Sequence, residues 1–148
     1  MMFVVVQLDL LAKTLLDAPI GYVEKIISEI LKKPATLNVV EQNSLSGTKY
    51  LRKIVISADR LPIVRAYVRF DSKTIPEYVM YDLLQKKEGI GTILTKYNIP
   101  VKRQAVLIYF DRDGKKVTRD YEIIYDDTAW FQISEEIRLD FLSACQNG

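Results

Sequence analysis

The segment YLRKIVISADRLPIVRAYVRF, residues 50–70, decides the fold class. Apolar and polar side chains alternate with a period of two through residues 50–58 and again through residues 62–70, which is typical of β-strands with one buried face. Residues 59–61 alone separate the two runs, and a connection of that length fits a hairpin. The segment therefore predicts two adjacent antiparallel strands, because a parallel crossover needs a much longer connection.

The two-residue period returns in the second half of the chain. Further strands are predicted at residues 102–110, 117–125 and 129–135. The dipeptide Asp113-Gly114 lies between the first two of these strands and is a strong hairpin signal, since both residues tolerate the positive φ angles of a tight turn. These strands are expected to extend the same antiparallel sheet.

Helical periodicity occupies the first third of the chain and one later insert. Amphipathic spacing predicts helices at residues 8–16, 23–33, 76–84 and 92–97. Residues 36–48 show neither period and are interpreted as a connecting segment. Helices followed by hairpins around a helical insert predict an α+β fold.

The composition is that of an ordinary globular protein and disfavours several functions. The 148 residues are predicted to form one domain, residues 1–148, with 49% hydrophobic and 27% charged residues. Lys and Arg number 21 against 19 Asp and Glu, and no basic stripe appears, so no nucleic-acid partner is predicted. The apolar opening residues 1–6 are too few to span a bilayer, so no membrane association is predicted.

The residue counts also limit the available chemistry. The chain has no His, which excludes a Cys–His nucleophile and removes the usual zinc and iron sites, so no metal is predicted. A general acid or base must then be Asp, Glu, Lys or Tyr. Cys145 is the only cysteine and lies near a terminus that is expected to fray. With no disulfide and no leader pattern, a cytoplasmic location is predicted.

Three predicted strands each place one ionisable residue in phase with apolar side chains. These residues are Arg52, Arg119 and Glu135, whereas Arg65 and Arg69 fall in the polar phase and are expected to be solvated. An unpaired buried charge costs several kcal/mol even after relaxation. The three inward groups must therefore pair with one another, reach solvent, or meet a charged ligand.

Three arrangements of these groups remain open. They form an internal Arg–Glu bridge, or they lie at a wet rim where strands end, or they line an enclosed site with two guanidinium groups and one carboxyl. A guanidinium binds a carboxylate through two parallel hydrogen bonds, so the enclosed site suits a small dicarboxylate. Gly89-Ile90-Gly91, which precedes a predicted helix, is either a simple turn or a source of backbone N–H donors for such an acid.

Four short runs resemble the chorismate lyase family, in a consistent order over residues 20–142. The run YLRKIVISAD, residues 50–59, resembles the family's signature strand with its aromatic, Leu, Arg and Asp-containing turn. Gly89-Ile90-Gly91 resembles its Pro-Leu/Ile-Gly turn. The other two runs, residues 118–121 and 133–137, resemble its Arg-x-Tyr strand and its closing Glu-hydrophobic segment. The match is closest to the shorter, archaeal or plastid-type members.

The resemblance implies a six-stranded antiparallel sheet flanked by helices, and conversion of chorismate to 4-hydroxybenzoate and pyruvate without metal or organic cofactor. Arg52 matches the arginine that grips the ring carboxylate. Ile90 matches the residue whose backbone N–H binds the same ligand, and Gly91 lies beside it. Arg119 is then expected to help hold the dicarboxylate substrate. Glu135 matches the carboxyl near the breaking ether bond and is a candidate proton donor.

The sequence departs from the family pattern in ways that leave alternatives open. Thr36 falls at a substrate-contacting position, but the surrounding residues 34–37 differ from the family's segment. Tyr67 stands where bacterial members often have a second Arg, and residues 136–138 replace the usual Leu/Phe-Phe-Pro ending. One alternative is a non-catalytic small-ligand sensor, because the effector domains of some transcription regulators have a similar fold. Another is an enzyme acting on a different carboxylated ring. A monomer and a homodimer are both compatible with the sequence.

Overall fold

The computed structural model describes residues 13–147 and contains an antiparallel sheet with helices packed against it. The strands are β1 (Thr36–Ser46), β2 (Lys49–Ala58), β3 (Leu61–Asp71), β4 (Lys102–Phe110), β5 (Lys116–Tyr125) and β6 (Thr128–Arg138). The helices are α1 (Val23–Leu31), α2 (Glu77–Leu84), α3 (Ile90–Lys96) and α4 (Leu139–Asn147). Residues 13–16 are also helical. The rest of the helix predicted at residues 8–16, and the apolar residues 1–6, lie outside the described residues.

Within residues 13–147 the sheet has six strands in the order β1-β2-β3-β6-β5-β4, and every neighbouring pair is antiparallel. The segment at residues 50–70 forms most of β2 and β3 around Asp59 and Arg60, whose φ angles are 51° and 66°. Two successive positive φ angles are the geometry of a tight hairpin turn. The predicted α+β class and its antiparallel sheet are confirmed.

Residues 36–48 do not form the connecting segment that was predicted, because β1 occupies most of them. The strand pairs with β2 across a turn at Gly47, which has a φ of 57°. It is an edge strand with mostly exposed side chains, and its buried inward residue is Gln42. The alternation of apolar and polar residues is therefore missing, and the strand is fixed by backbone pairing instead.

The C-terminal residues also differ from expectation. Cys145 is not in a frayed end but lies in α4, where it is 3% exposed. Leu139, Leu142 and Cys145 follow one another at three-residue spacing and pack into the core with Ile63 and Val64 of β3. Burial raises the pKa of the Cys145 thiol. Helix α4 is thus held by tertiary packing rather than by a strong local signal.

The helices pack with the sheet in two hydrophobic clusters. One cluster joins α2 and α3 to apolar residues of β3, β5 and β6, and the other joins α1 and α4 to β2, β3 and β6. Arg65, Tyr67 and Arg69 of β3 project outward and are exposed, which confirms the prediction that both arginines are solvated. No helix among the described residues is long and apolar enough to cross a bilayer.

Candidate anion-binding site

A cavity of about 90 Å³ lies between the sheet and the segments around α1 and α3. Its lining is largely aliphatic, with charged groups at separate places. The polar and charged lining residues are Glu24, Arg52, Thr92, Arg103, Tyr121 and Glu135. An apolar chamber with a few charged groups at fixed positions is the usual form of a small-molecule site.

Arg52 of β2 lies at the base of this cavity and is completely buried. Its Nη2 donates a hydrogen bond of 2.6 Å to the backbone carbonyl of Glu88. Its Nε and Nη1 are buried and have no hydrogen-bond partner among the described residues. Desolvation lowers the pKa of Arg52 to about 10, against an opposing effect of Glu88. The side chain is therefore still cationic at neutral pH, with two nitrogen atoms whose N–H bonds are free to bind an anion.

Arg119 of β5 is also buried but has a full set of protein partners. Its Nε and Nη2 donate to Oε1 of Glu135 at 2.8 and 2.6 Å, and its Nη1 donates to the carbonyl of Leu16 at 2.8 Å. The Tyr121 hydroxyl donates to Oε2 of Glu135 at 3.0 Å. This is the internal Arg–Glu bridge, one of the three arrangements that were compatible with the sequence. Desolvation, with Glu135 nearby, raises the pKa of the Tyr121 hydroxyl.

Arg103 of β4 is a second cation on the cavity wall, and the sequence pattern did not predict it. Its Nη1 donates to the carbonyl of Ala18 at 2.7 Å, its guanidinium carbon lies 5.4 Å from the centre of the Tyr121 ring, and its buried Nε has no partner among the described residues. Arg103 is opposite Ile123 in the β4–β5 register and so shares the inward face with that core residue.

A register shift hides Arg103 from pattern analysis. Phe110 pairs with Val117 beside the hairpin, and regular pairing from there places Gln104, not Arg103, opposite Ile123. An irregularity between Gln104 and Leu107 moves the register by one residue. Because one residue of slip moves every side chain to the other face, Arg103 turns inward. The inward orientation of Arg103 can be predicted only if the position of this bulge is known.

The segment Gly89-Ile90-Gly91 borders the cavity at the start of α3. Ile90 is buried, and Gly91 packs directly against the backbone of Gly21, which has a φ of 92°. A Cβ added at Gly91 would overlap the Cα and N of Gly21. Two glycines thus allow the chain before α1 to cross α3 and close one side of the cavity. The segment is more than a simple turn, since two of its residues begin a helix.

The predicted site residues do not all reach the cavity. Arg52, Ile90, Gly91 and Glu135 line it together. Arg119 is not among the lining residues and lies behind Glu135. Thr36 is exposed at the start of β1 and does not line the cavity, whereas its neighbour Leu37 does, because successive strand residues point to opposite faces.

What the cavity can bind depends on its charged side chains. Within residues 13–147, no group of three or more Cys, Asp or Glu side chains could hold a metal ion. Glu135 is neutralised by Arg119, so Arg52 and Arg103 give the cavity an excess of positive charge. Glu24, half-buried at the wall, has a pKa that burial raises. Buried guanidinium N–H groups without partners are strong donors for carboxylate or phosphate oxygens.

Comparisons with known proteins identify the fold. No protein-family model and no curated protein matches the chain. The effector domain of PhnF from Mycobacterium smegmatis has a TM-score of 0.56 at 10% identity, over 83% of this chain and 91% of that domain. The structure of PhnF itself gives 0.57 at 10% identity, over 82% of this chain and 65% of that one. A GntR-family transcriptional regulator from Bacillus cereus gives 0.50 at 12% identity, over 70% of this chain and 91% of that one.

These likenesses show a chorismate lyase-like fold of the kind found in regulator effector domains. The fold that the family resemblance implied is confirmed. The three structures named here are described as an effector domain, as PhnF and as a transcriptional regulator, so they lend no support to the enzymatic part of that expectation.

Proposed function

We propose that this chain binds a small anionic metabolite without transforming it, in the manner of an effector domain. The observation that carries the proposal is Arg52, a completely buried cation with two N–H groups that have no partner among the described residues. A protein that used Arg52 only for structure is expected to satisfy it, as Arg119 is satisfied, because an unpaired buried charge is costly. A carboxylate or phosphate oxygen in the cavity supplies the missing acceptors.

The fold comparisons support the binding function. The structures of similar architecture are described as the effector domain of PhnF and as a GntR-family regulator. Effector domains change the state of a regulator when a small molecule binds. We expect the same use of the cavity here, with Arg52 as the principal anchor and the backbone at Ile90 and Gly91 beside the bound acid group.

The state of Glu135 supports binding over catalysis. Its Oε1 accepts two hydrogen bonds from Arg119 and its Oε2 accepts one from Tyr121. A carboxylate in this setting is an acceptor in an ion pair, whereas the lyase reaction requires it to give a proton to the leaving enolpyruvyl oxygen. The cavity, at about 90 Å³, is also smaller than the ~150 Å³ cavity that holds benzene in an engineered protein, so an aromatic ring exceeds its present volume.

A chorismate–pyruvate lyase is the second candidate. Arg52, Ile90 and Glu135, the three residues to which the family resemblance gives roles, line one cavity. In this reading Arg52 holds the ring carboxylate. Glu135 protonates the leaving group only after its bridge to Arg119 opens and its carboxylate takes up a proton from solvent.

Two measurements on the purified protein separate the candidates. The first is calorimetric titration of wild-type protein, Arg52→Gln and Arg65→Gln with a panel of small carboxylates and phosphonates that includes 4-hydroxybenzoate. We expect saturable binding that Arg52→Gln removes and that Arg65→Gln, on the exposed outer face of β3, leaves unchanged.

The second measurement is incubation with chorismate while 4-hydroxybenzoate release is followed by absorbance. We expect no release above the uncatalysed rate. Turnover that Glu135→Gln abolishes would establish the lyase instead. Absence of binding by every anion in the panel would contradict the proposed function.

A further inference from the structure

We infer that Arg103 is a second anion anchor, so that the ligand carries two anionic groups joined by a short apolar body. This inference rests on the proposed function, because it takes the cavity around Arg52 to be a ligand site. It names the class of ligand and a residue that selects it.

Arg103 resembles Arg52 in the property that suggests binding. Both side chains line the same cavity, and each has a buried Nε without a hydrogen-bond partner in the described part of the chain. Arg103 is also held in place, since its Nη1 bonds to the carbonyl of Ala18 and its guanidinium lies over the Tyr121 ring. A fixed guanidinium with a free edge can bind an anion with little loss of side-chain entropy.

The two cations lie on the same face of the sheet but on strands that are not neighbours. Arg52 is on β2 and Arg103 on β4, and three strands, β3, β6 and β5, lie between these two in the sheet order. Each guanidinium therefore faces the cavity from its own strand with its own unpartnered Nε, and each arginine is assigned its own anionic group.

The surface between the two arginines is apolar. Val68, Ile133 and Ile123 line the cavity on the intervening strands. Glu135, the carboxylate on the strands between them, is occupied by Arg119 and Tyr121 and does not compete for the two cations. Glu24 lines the cavity from α1. The chemistry therefore favours a short, mostly apolar body with a carboxylate or phosphonate at each end.

Matched acids of equal length test the assignment. Wild-type protein is titrated by calorimetry with the linear dicarboxylates from malonate to adipate, with the monocarboxylates of the same carbon number, and with 3-phosphonopropionate. We expect the best dicarboxylate to bind at least about tenfold more tightly than its monocarboxylate partner, which is the effect of one charge-assisted hydrogen-bonded group. Comparison of 3-phosphonopropionate with succinate shows whether one of the two anion sites binds a phosphonate more tightly than a carboxylate.

Variants of Arg103 test whether this residue causes the higher affinity for dicarboxylates. Arg103→Gln is expected to reduce dicarboxylate affinity by about tenfold or more while leaving monocarboxylate affinity within about twofold. Arg103→Lys should restore part of the preference, because Lys keeps the charge but not the planar fork. Arg69→Gln, on the exposed outer face of β3, is the control and should leave both affinities unchanged.

The outcomes separate this inference from the proposed function. A wild-type protein that binds mono- and dicarboxylates equally, or a preference that neither Arg103 variant alters, overturns the inference alone. Equal weakening of both classes by Arg103→Lys and Arg103→Gln also overturns it, since that pattern indicates a structural role. Failure of every acid to bind the wild-type protein overturns both.

Discussion

Arg52 and Arg119 are two arginines buried to the same degree in one sheet, yet their surroundings are opposite. Arg119 lies directly across from Glu135 in the β5–β6 register and makes three hydrogen bonds to protein acceptors. Arg52 lies across from Gln42 and Val68 and makes one, to the carbonyl of Glu88. The comparison teaches that burial of a charge does not by itself indicate function. The unsatisfied cation is the one that suggests a ligand.

The largest effect should come from removing the satisfied arginine. Arg119→Met leaves Glu135 buried beside apolar residues without its cation, and it should lower the free energy of unfolding by ~3–5 kcal/mol. Urea denaturation followed by circular dichroism measures the change.

The double variant Arg119→Met with Glu135→Leu is the matched control. It removes both charges and should recover most of the loss, because an apolar pair can replace a buried ion pair at little cost. A single variant as stable as the wild type would mean that the bridge is not buried in solution.

The next effect concerns the glycine crossing that closes the cavity beside Arg52. Gly91→Ala places a Cβ against the backbone of Gly21, where neither partner can move easily, and should cost ~1–3 kcal/mol of stability. Gly89→Ala is the control, because its Cβ would crowd the flexible end of the Leu37 side chain and meet Thr92 Oγ1 only at 4.0 Å, without touching backbone. Thermal unfolding of the two variants side by side tests the difference, and equal losses would contradict the crossing as described.

Removing the unsatisfied arginine should have a smaller effect on stability, and in the opposite direction. Arg52→Met replaces a partly unpaired buried cation by an apolar side chain of similar length. The free energy of unfolding of the ligand-free protein should stay constant or rise by about 1 kcal/mol. The same urea titration measures it. A loss as large as that of Arg119→Met would show that Arg52 is structural and would remove the contrast between the two arginines.

The smallest effect is a pH dependence of ligand affinity at the alkaline end. Burial lowers the pKa of Arg52 to about 10, so the free protein loses this charge as pH rises through that value. Anion binding needs the protonated guanidinium, and affinity should be constant from pH 7 to 9 and then fall by at most about tenfold per pH unit above 10. Calorimetric titrations across that range check the sign, and an affinity that rises above pH 10 would contradict it.

Much of the fold was accessible from the sequence because its strands are regular and half-buried. The alternation in residues 50–70 predicted the β2–β3 hairpin, and the same period placed Arg52, Arg119 and Glu135 on the inward face. The structure shows all three buried. Strand β1 was missed since its buried inward residue is the polar Gln42, and α4 was missed since its short apolar face is recognisable only against β3.

The partners of the inward charges were less accessible because bulges set the register. Strand β6 has a bulge at Trp130. Its neighbours Phe131 and Ala129 pair with Ile123 and Ile124 of β5, so Trp130 has no partner in the register. Regular pairing from the turn at residues 126–127 would place Arg119 opposite Ser134, and this bulge moves it opposite Glu135. The corresponding shift in β4 turns Arg103 inward.

A two-residue period is a local property of each strand, so the alternation of side chains was enough to predict an antiparallel α+β sheet with charges on its buried face. Which of these charges is neutralised and which has no partner among the described residues depends on the folded arrangement of the strands. The outcome depends on the residue opposite each arginine, and so on bulges and strand order that bring together side chains far apart in the chain.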